Sequence, residues 1–162
     1  MKTYRLQFQQ FIDLPIEDVF NFFSKPENLS TITPPRLRFD ILTPNPLQMK
    51  EGQLIDYSLT ILYVIKLHWR TLITYYEKPY KFIDQQIKGP YTLWHHTHTF
   101  EEQDGGTLIK DDVSYVVPFG LLGRLINFIY IRYDIQGIFK YRHKILNHIF
   151  TKIKNQSIGV NI

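Results

Sequence analysis

Apolar and polar residues alternate at the start of the chain. The alternation covers residues 3–13 and predicts a β-strand with one buried face. Residues 15–23 change to a helical period, in which Pro15 suits the first helical position and acidic residues follow in the first turn. Pro26 ends this helix and begins a second short one. The N-terminal part therefore predicts one strand followed by two short helices.

The next part of the chain consists of strand-like segments separated by turn signals. The breaks between these segments are rich in proline and glycine, which interrupt strands and favour turns. Short breaks between successive strands are typical of an antiparallel meander. The predicted strands cover residues 37–42, 54–62, 66–76, 82–88, 92–102 and 107–117.

The last third of the chain returns to a helical period. Residues 121–150 carry apolar side chains in rows seven residues apart, which predicts one long amphipathic helix. Gly137 inside this segment predicts a bend or a close approach to the sheet. The apolar rows are Phe128, Ile135 and Ile149, and Ile131, Ile138 and Ile145, beside Leu125, Phe139 and Leu146.

This order of elements predicts an α+β fold in a single domain over residues 1–162. A curved antiparallel sheet of about seven strands has one face to bury, and the long C-terminal helix can cover its concave side. A sheet wrapped around a helix in this way leaves room for a cavity between them.

Aromatic residues are frequent, with 12 Phe, 11 Tyr and 2 Trp among 162 residues. Such a composition favours either a bulky core or a pocket with flat walls. The absence of cysteine excludes disulfides, thiolate zinc sites and cysteine nucleophiles. Neither a glycine-rich phosphate loop nor a Gly-x-Ser-x-Gly motif occurs, so nucleotide chemistry and serine hydrolysis are unsupported.

The chain is basic, with a formal net charge of +4 and a pI of about 9.2. Much of the excess lies in residues 140–154, where cations complement the C-terminal end of a helix dipole. No arginine cluster interleaved with aromatic residues predicts a nucleic-acid partner. The first residues contain no apolar signal segment, and the most apolar run, residues 118–131, is shorter than the ~20 residues of a membrane span. We therefore expect a cytoplasmic protein without a transmembrane segment.

The order of elements and four sequence segments resemble a known protein family. The family is a bacterial group of the START-like, or SRPBCC, helix-grip superfamily, which includes pollen-allergen-type ligand carriers, lipid-transfer domains and polyketide cyclases. Members of the group are often labelled cyclase-like or cell-division-inhibitor-like. The resemblance implies a helix-grip fold with a ligand-binding cavity between the sheet and the long helix, and it implies no particular reaction. The segments are PIEDVFNFFSKPENLSTITPP (15–35), HWRTLI (68–73), FIDQQIKGPYTLWHHTHTFEE (82–102) and GGTLIKDDVSYVVPFGLLG (105–123).

The stretch WHHTHTFEE, residues 94–102, carries three histidines in five positions. Because side chains alternate along a strand, Trp94, His96, His98 and Phe100 share one face, and His95 lies on the other. The first set has the aromatic content of a buried or cavity-facing surface, and the second is typical of a solvated one.

The turn that follows predicts how this strand pairs with the next. A two-residue loop at Asp104-Gly105, or a four-residue loop over residues 103–106, places His98 opposite Asp111. The same register places Trp94 opposite Tyr115. Cross-strand neighbours are ~4.5–5.5 Å apart at Cβ, which is close enough for an imidazole–carboxylate hydrogen bond.

Three interpretations compete for the histidines. His96 and His98 could bind a metal with Asp111 or Asp84 as a third ligand. His98 polarised by Asp111 could act in general acid/base catalysis. The commonest outcome for such residues is a polar lining whose groups satisfy one another and orient a ligand. We expect the last of these, without a metal or another cofactor.

Arg142 is a charged residue in the apolar stripe of the long helix. If it is buried, its guanidinium needs a carboxylate such as Asp111 or Asp84, or an anionic ligand. If the helix projects past the sheet, Arg142 extends to water instead. The two alternatives have opposite consequences for the cavity, because only the first gives it a cationic end.

These observations predict that the protein binds a small hydrophobic or aromatic molecule. If Arg142 is buried, an acidic group on that molecule would suit the cavity. One alternative is a cyclase, dehydratase or isomerase that uses His98 with Asp111, and Tyr115 or Arg142 to stabilise an enolate. A further alternative is docking on a protein or a membrane surface through residues 119–131, which solvent exposure of that segment would favour. The predicted ligand-binding residues are Trp69, Asp84, Trp94, His96, His98, Asp111, Tyr115, Phe139 and Arg142.

Overall fold

The computed structural model describes residues 1–44, 47–62 and 64–159. Residues 45, 46, 63 and 160–162 lie outside the described part. The single-domain prediction covers these six residues as well. The strands are β1 (Tyr4–Ile12), β2 (Asp40–Ile41), β3 (Leu54–Ile61), β4 (Ile65–Glu77), β5 (Lys81–Lys88), β6 (Leu93–Gln103) and β7 (Gly106–Val116). The helices are α1 (Ile16–Phe23), α2 (Asn28–Thr31), a 3₁₀ turn (Pro35–Leu37), α3 (Gly120–Ile126), a π-helical turn (Asn127–Ile131) and α4 (Arg132–Gly159).

All seven strands form one antiparallel sheet in the order β1-β7-β6-β5-β4-β3-β2. The meander β2 to β7 follows the chain, and β1 closes the series by pairing with β7 along its whole length. The two short helices follow β1, and the long C-terminal helix packs over the sheet. The predicted α+β helix-grip fold is confirmed.

The hairpin between β6 and β7 has the predicted register. Glu102 pairs with Thr107, and further along the strands His98 pairs with Asp111. The loop is the two-residue turn at Asp104 and Gly105, whose φ angles are 49° and 79°. Both angles are positive, as a type I′ turn requires, and such a turn matches the twist of the strands it joins. The turn sequence therefore determines which side chains of β6 and β7 become neighbours.

The core that holds α1 and α4 on the sheet is largely aromatic. Phe20 of α1 is fully buried, and its ring meets Phe82 of β5 and Phe100 of β6 at centroid distances of 6.0 and 5.2 Å. In a second cluster of the core, Phe139 of α4 stacks on Phe8 of β1 with ring centroids 4.0 Å apart. Burial of each such ring contributes about 1.5–3 kcal/mol.

The C-terminal helix differs from the prediction at its start. The π-helical turn at Asn127–Ile131 contains one residue more than an α-helical turn, so it rotates the preceding residues relative to those of α4. Leu125 and Phe128, which the sequence pattern placed with the core rows, are exposed. Their predicted burial was wrong because the heptad rows were continued through a turn that breaks the period.

The close approach to the sheet predicted for Gly137 is not found. Gly137 is exposed in an α-helical stretch of α4, and a Cβ at this position would meet no heavy atom within 4 Å. The π-helical turn begins ten residues earlier, at Asn127. No helix in the described part of the chain is both long enough and apolar enough to cross a bilayer.

Candidate functional site

A cavity of about 200 Å³ lies between the concave face of the sheet, α4 and the short helices. Aromatic and aliphatic side chains form most of its wall, and a few charged groups converge on one part of it. The apolar part of the wall includes Phe22, Phe23, Leu29, Ile32, Phe39, Met49, Tyr57, Trp69, Phe82, Tyr91, Trp94 and Phe139. The charged part includes Asp84, His96, His98 and Arg142.

Three neighbouring strands bring the histidines and the aspartates together. His96 and His98 point to the same side of β6, and both are buried. Asp84 of β5 pairs with His96 across one edge of β6, and Asp111 of β7 pairs with His98 across the other. Each imidazole therefore lies between two carboxylates, and we call these four residues the His-Asp cluster.

The hydrogen bonds of the His-Asp cluster run diagonally across the strands. His96 Nε2 donates to Asp111 Oδ1 at 2.8 Å, and His98 Nε2 donates to Asp84 Oδ2 at 2.9 Å. His98 Nδ1 lies 2.8 Å from Asp111 Oδ1 but off the direction of a hydrogen bond, and it has no hydrogen-bond partner among the described residues. The two imidazole centroids are only 3.7 Å apart. His98 therefore forms its hydrogen bond with Asp84, whereas the sequence pattern predicted Asp111 as its partner.

The surroundings shift the pKa values of the two histidines in opposite directions. Burial lowers the pKa of His98, but the close contact with Asp111, the hydrogen bond to Asp84 and the charges of both carboxylates outweigh burial, so its pKa is raised above 6.5. Burial also lowers the pKa of His96, and the adjacent charge of His98 lowers it further, so its pKa stays below 6.5 despite the aspartates. The cluster therefore favours one imidazolium, at His98, and one neutral imidazole, at His96.

The two carboxylates are held ionised. Burial by itself raises the pKa of Asp84, but the charges of His96, His98 and Arg142 and a hydrogen bond from His98 leave it lowered. Burial likewise opposes ionisation of Asp111, and the hydrogen bond from His96, the close contact of His98 and the charges of both imidazoles outweigh it, so the pKa of Asp111 lies far below its ordinary range. With Arg142 and protonated His98, the site holds two positive and two negative charges.

Arg142 of α4 reaches the cavity from the helix side. Its side chain is buried, with 9% of the residue exposed, and its guanidinium lies 4.8 Å from the ring centroid of Phe139. It forms no hydrogen bond or ion pair with any described residue, and its buried Nε has no partner there. Burial lowers the pKa of Arg142, which the charges of Asp111 and Asp84 partly offset. Of the two alternatives for Arg142, the structure has the buried one.

The aromatic part of the wall is centred on the two tryptophans. Trp69 of β4 and Trp94 of β6 meet edge to face at 5.4 Å, and Tyr91 packs against both at 5.8 and 5.0 Å. Trp69 Nε1 donates to Thr71 Oγ1 at 3.1 Å, which satisfies the indole N–H. The flat faces of these rings give the cavity an apolar end.

Two of the predicted site residues do not line the cavity. Tyr115 is fully buried behind Trp94, and its hydroxyl donates to Asn127 Oδ1 at 2.8 Å. Asp111 lies behind the imidazoles of His96 and His98 and contacts the cavity only through them. The other seven, Trp69, Asp84, Trp94, His96, His98, Phe139 and Arg142, form part of the wall.

Several wall residues were not singled out from the sequence. Tyr57 pairs with Trp69 across β3 and β4, and burial raises its pKa, so its hydroxyl is neutral at physiological pH. The signal for Tyr57 was its position on an alternating strand, but the long connection before β3 hides the register. Tyr91 and Phe39 lie in connections between strands, where alternation gives no information about facing.

Asp84, His96 and His98 are also the described residues that could hold a metal ion. One ligand atom from each lies within 4.8 Å of the others, and the donor set of two imidazoles and one carboxylate suits zinc or iron. Such an ion would compete with the hydrogen bonds to the carboxylates and with the proton on His98. The cationic Arg142 on the same wall disfavours a second positive charge here.

Known proteins resemble this chain in structure rather than in sequence. No family model and no curated protein matches the sequence. Solved structures do match: protein Ms6760 from Mycobacterium smegmatis has a TM-score of 0.66 at 15% identity, with 92% of each chain covered. Major latex-like protein 151 from Panax ginseng has a TM-score of 0.67 at 11% identity, covering 91% of this chain and 97% of its own.

A third solved structure contains this fold as one part of a longer chain. A nucleoside-diphosphate sugar epimerase from Corynebacterium glutamicum has a TM-score of 0.67 at 22% identity, covering 94% of this chain but 30% of its own. At these identities the likenesses concern the fold. The chain shares the helix-grip fold of these structures.

Proposed function

We propose that this protein binds a small, largely apolar molecule that carries one acidic group, in the cavity between the sheet and α4. The observation that carries the proposal is Arg142, a buried guanidinium on the cavity wall without a hydrogen bond or ion pair among the described residues. An unpartnered buried charge costs several kcal/mol. A ligand carboxylate supplies the missing partner and can accept two parallel N–H groups from a guanidinium.

The charge of the wall limits the ligand to a single negative charge. Asp84 and Asp111 already offset protonated His98 through direct contacts and Arg142 at longer range. A dianion such as a phosphate monoester would bring the number of negative charges in the site to four, because two carboxylates are already present. Only two cations would balance them. A monoanionic carboxylate or enolate therefore suits the site better than a phosphate.

The size and the wall limit the rest of the ligand. The cavity of about 200 Å³ is smaller than the roughly 300–1,000 Å³ of drug-sized sites. Trp69, Trp94 and Tyr91 offer ring faces and edges at its apolar end. Edge-to-face and offset stacking favour an aromatic partner by about 0.5–1.5 kcal/mol beyond its buried area. We infer a ligand with one substituted aromatic ring, or an aliphatic acid of similar volume.

Native mass spectrometry of the protein purified from its own cells tests the proposal. Spectra under gentle and then denaturing conditions should show release of an organic acid, and Arg142→Met purified in parallel should carry much less of it. His95→Gln, a change on the opposite face of β6, serves as the matched control and should retain the ligand. Release of a divalent metal ion instead, with no organic compound in either protein, would contradict the proposal.

A second candidate function is general acid/base catalysis on the bound molecule. It rests on the His-Asp cluster, because protonated His98 and neutral His96 lie side by side on the cavity wall with opposite proton-transfer abilities. In that case Arg142 would stabilise an enolate, and Asp111 would position the imidazoles rather than touch the substrate. Incubation of the protein with the released compound, followed by chromatography, distinguishes a carrier from an enzyme. An enzyme would convert the compound, and His98→Gln would bind it without converting it.

A further inference from the structure

The segment from Phe119 to Tyr133 presents an apolar surface to solvent. Phe119, Leu121 and Phe128 are 77%, 78% and 71% exposed. The exposed apolar residues recur with the spacing of one helical face, so they form a continuous stripe rather than scattered positions. We call this stripe the apolar face; it consists of Phe119, Leu121, Leu122, Leu125, Phe128, Ile129 and Tyr133.

The inward side of the same segment contains a buried glycine and a buried asparagine, beside Ile131, which packs against the core. Gly123 is buried, and a Cβ there would lie 1.8 Å from the carbonyl oxygen of Pro118. Asn127 is 2% exposed and accepts the hydrogen bond from Tyr115. Because a glycine and a hydrogen-bonded asparagine fix the inward side, the segment cannot turn its apolar residues toward the core without losing both contacts.

Positive charge accompanies the apolar face. Arg124 and Arg132 lie in the segment and are exposed, and residues 113–133 contain no acidic residue. The first acidic residue after them, Asp134, is paired with Arg36 at 2.7 Å. Exposed leucine, phenylalanine and tyrosine beside arginine are the composition of helices that lie in the interface of an anionic bilayer.

From the exposed apolar face and its charge we infer that the segment from Phe119 to Tyr133 docks this protein on an anionic lipid bilayer. The apolar face enters the boundary between headgroups and acyl chains, while Arg124 and Arg132 contact lipid phosphates. The inference does not depend on the ligand of the cavity. It differs from docking on a second copy of the chain, since two copies meeting through this face would bring their arginines together.

Co-sedimentation with vesicles tests the inference. We expect the wild-type chain to bind vesicles of equal parts phosphatidylglycerol and phosphatidylcholine and to bind phosphatidylcholine alone much more weakly. Arg124→Gln with Arg132→Gln should reduce binding to the anionic vesicles by about 25-fold, since each surface cation contributes about fivefold. Leu125→Gln with Phe128→Gln should abolish sedimentation, because it places two polar side chains in the middle of the apolar face.

The control variant changes an exposed apolar residue elsewhere. Ile87 of β5 is 52% exposed, and Ile87→Gln should leave vesicle binding as in the wild type. Unchanged thermal unfolding of each variant shows that its fold is intact. Absence of the wild type from the vesicle pellet, or equal binding by Leu125→Gln with Phe128→Gln, would overturn the inference. So would a wild-type dimer in solution that this double variant converts to a monomer, since a second copy then covers the face.

Discussion

His96 and His98 stand two positions apart on β6, and their different partners give them opposite effects on stability. The pKa of His98 is raised by Asp111 and Asp84, so its protonation stabilises the fold. That contribution is complete below the unfolded pKa of about 6.5 and is lost as the pH rises through the raised folded pKa. The pKa of His96 is lowered, chiefly by burial, so its contribution instead falls as the pH drops below about 6.5.

The His98→Gln variant tests this assignment. We expect the wild-type free energy of unfolding to decrease as the pH rises above about 6.5, and we expect His98→Gln to remove that decrease. His96→Gln should keep it and should remove part of the loss of stability on the acidic side. Urea unfolding of the three proteins between pH 5 and pH 9 measures both slopes. Equal alkaline slopes in wild type and His98→Gln would show that His98 is not the protonated imidazole.

The Tyr115→Phe variant separates packing from ligand binding. Removal of the hydroxyl leaves Asn127 Oδ1 without its buried donor, which costs about 1–3 kcal/mol of stability. Because Tyr115 does not line the cavity, the affinity for a ligand should stay within twofold of wild type. Thermal unfolding and ligand titration give the two quantities. A loss of affinity at unchanged stability would place the hydroxyl in the binding site.

At the scale of elements, two glycines of the C-terminal helical region have opposite environments. A Cβ at Gly137 meets open space in α4, so Gly137→Ala should stabilise the protein by up to about 1 kcal/mol. A Cβ at Gly123 would overlap the backbone of Pro118, so Gly123→Ala should destabilise it by well over 1 kcal/mol. Chemical denaturation of both variants measures the difference. Stabilisation by both changes would contradict the close approach at Gly123.

The same elements show how far sequence reasoning reaches. The register of β6 against β7 was predictable because a two-residue Asp-Gly loop leaves only one pairing for the strands. The placement of Tyr57 was not, because the long connection before β3 allows many registers. The π-helical turn escaped prediction for a different reason. Its buried Asn127 is fixed by Tyr115, and such a tertiary contact leaves no trace in the helical period.

At the scale of the whole molecule, the charge of the cavity should couple ligand binding to protonation. With His98 protonated, the site holds two positive and two negative charges, so a bound carboxylate leaves an excess negative charge. That charge favours protonation of His96, whose pKa is lowered in the free protein. We therefore expect proton uptake on binding, with an affinity that increases by at most about tenfold for each unit of pH decrease.

Calorimetric titration in two buffers of different ionisation enthalpy measures this proton uptake. Between pH 6 and pH 8, binding of an aromatic carboxylate should be accompanied by uptake of a proton by the protein. Binding of the corresponding amide should not. His96→Gln should bind the carboxylate without the uptake. Equal proton uptake for the carboxylate and the amide would show that the His-Asp cluster does not respond to the charge of the ligand.

The direct test of Arg142 as the partner of a ligand carboxylate is a double comparison of affinities. Phenylacetate and phenylacetamide, which have the same shape and differ in charge, are titrated into the wild type and into Arg142→Met. We predict that the wild type prefers the acid by tenfold or more, and that Arg142→Met loses this preference while it keeps its affinity for the amide. An equal preference for the acid in both proteins would contradict the role of Arg142 and the proposed class of ligand.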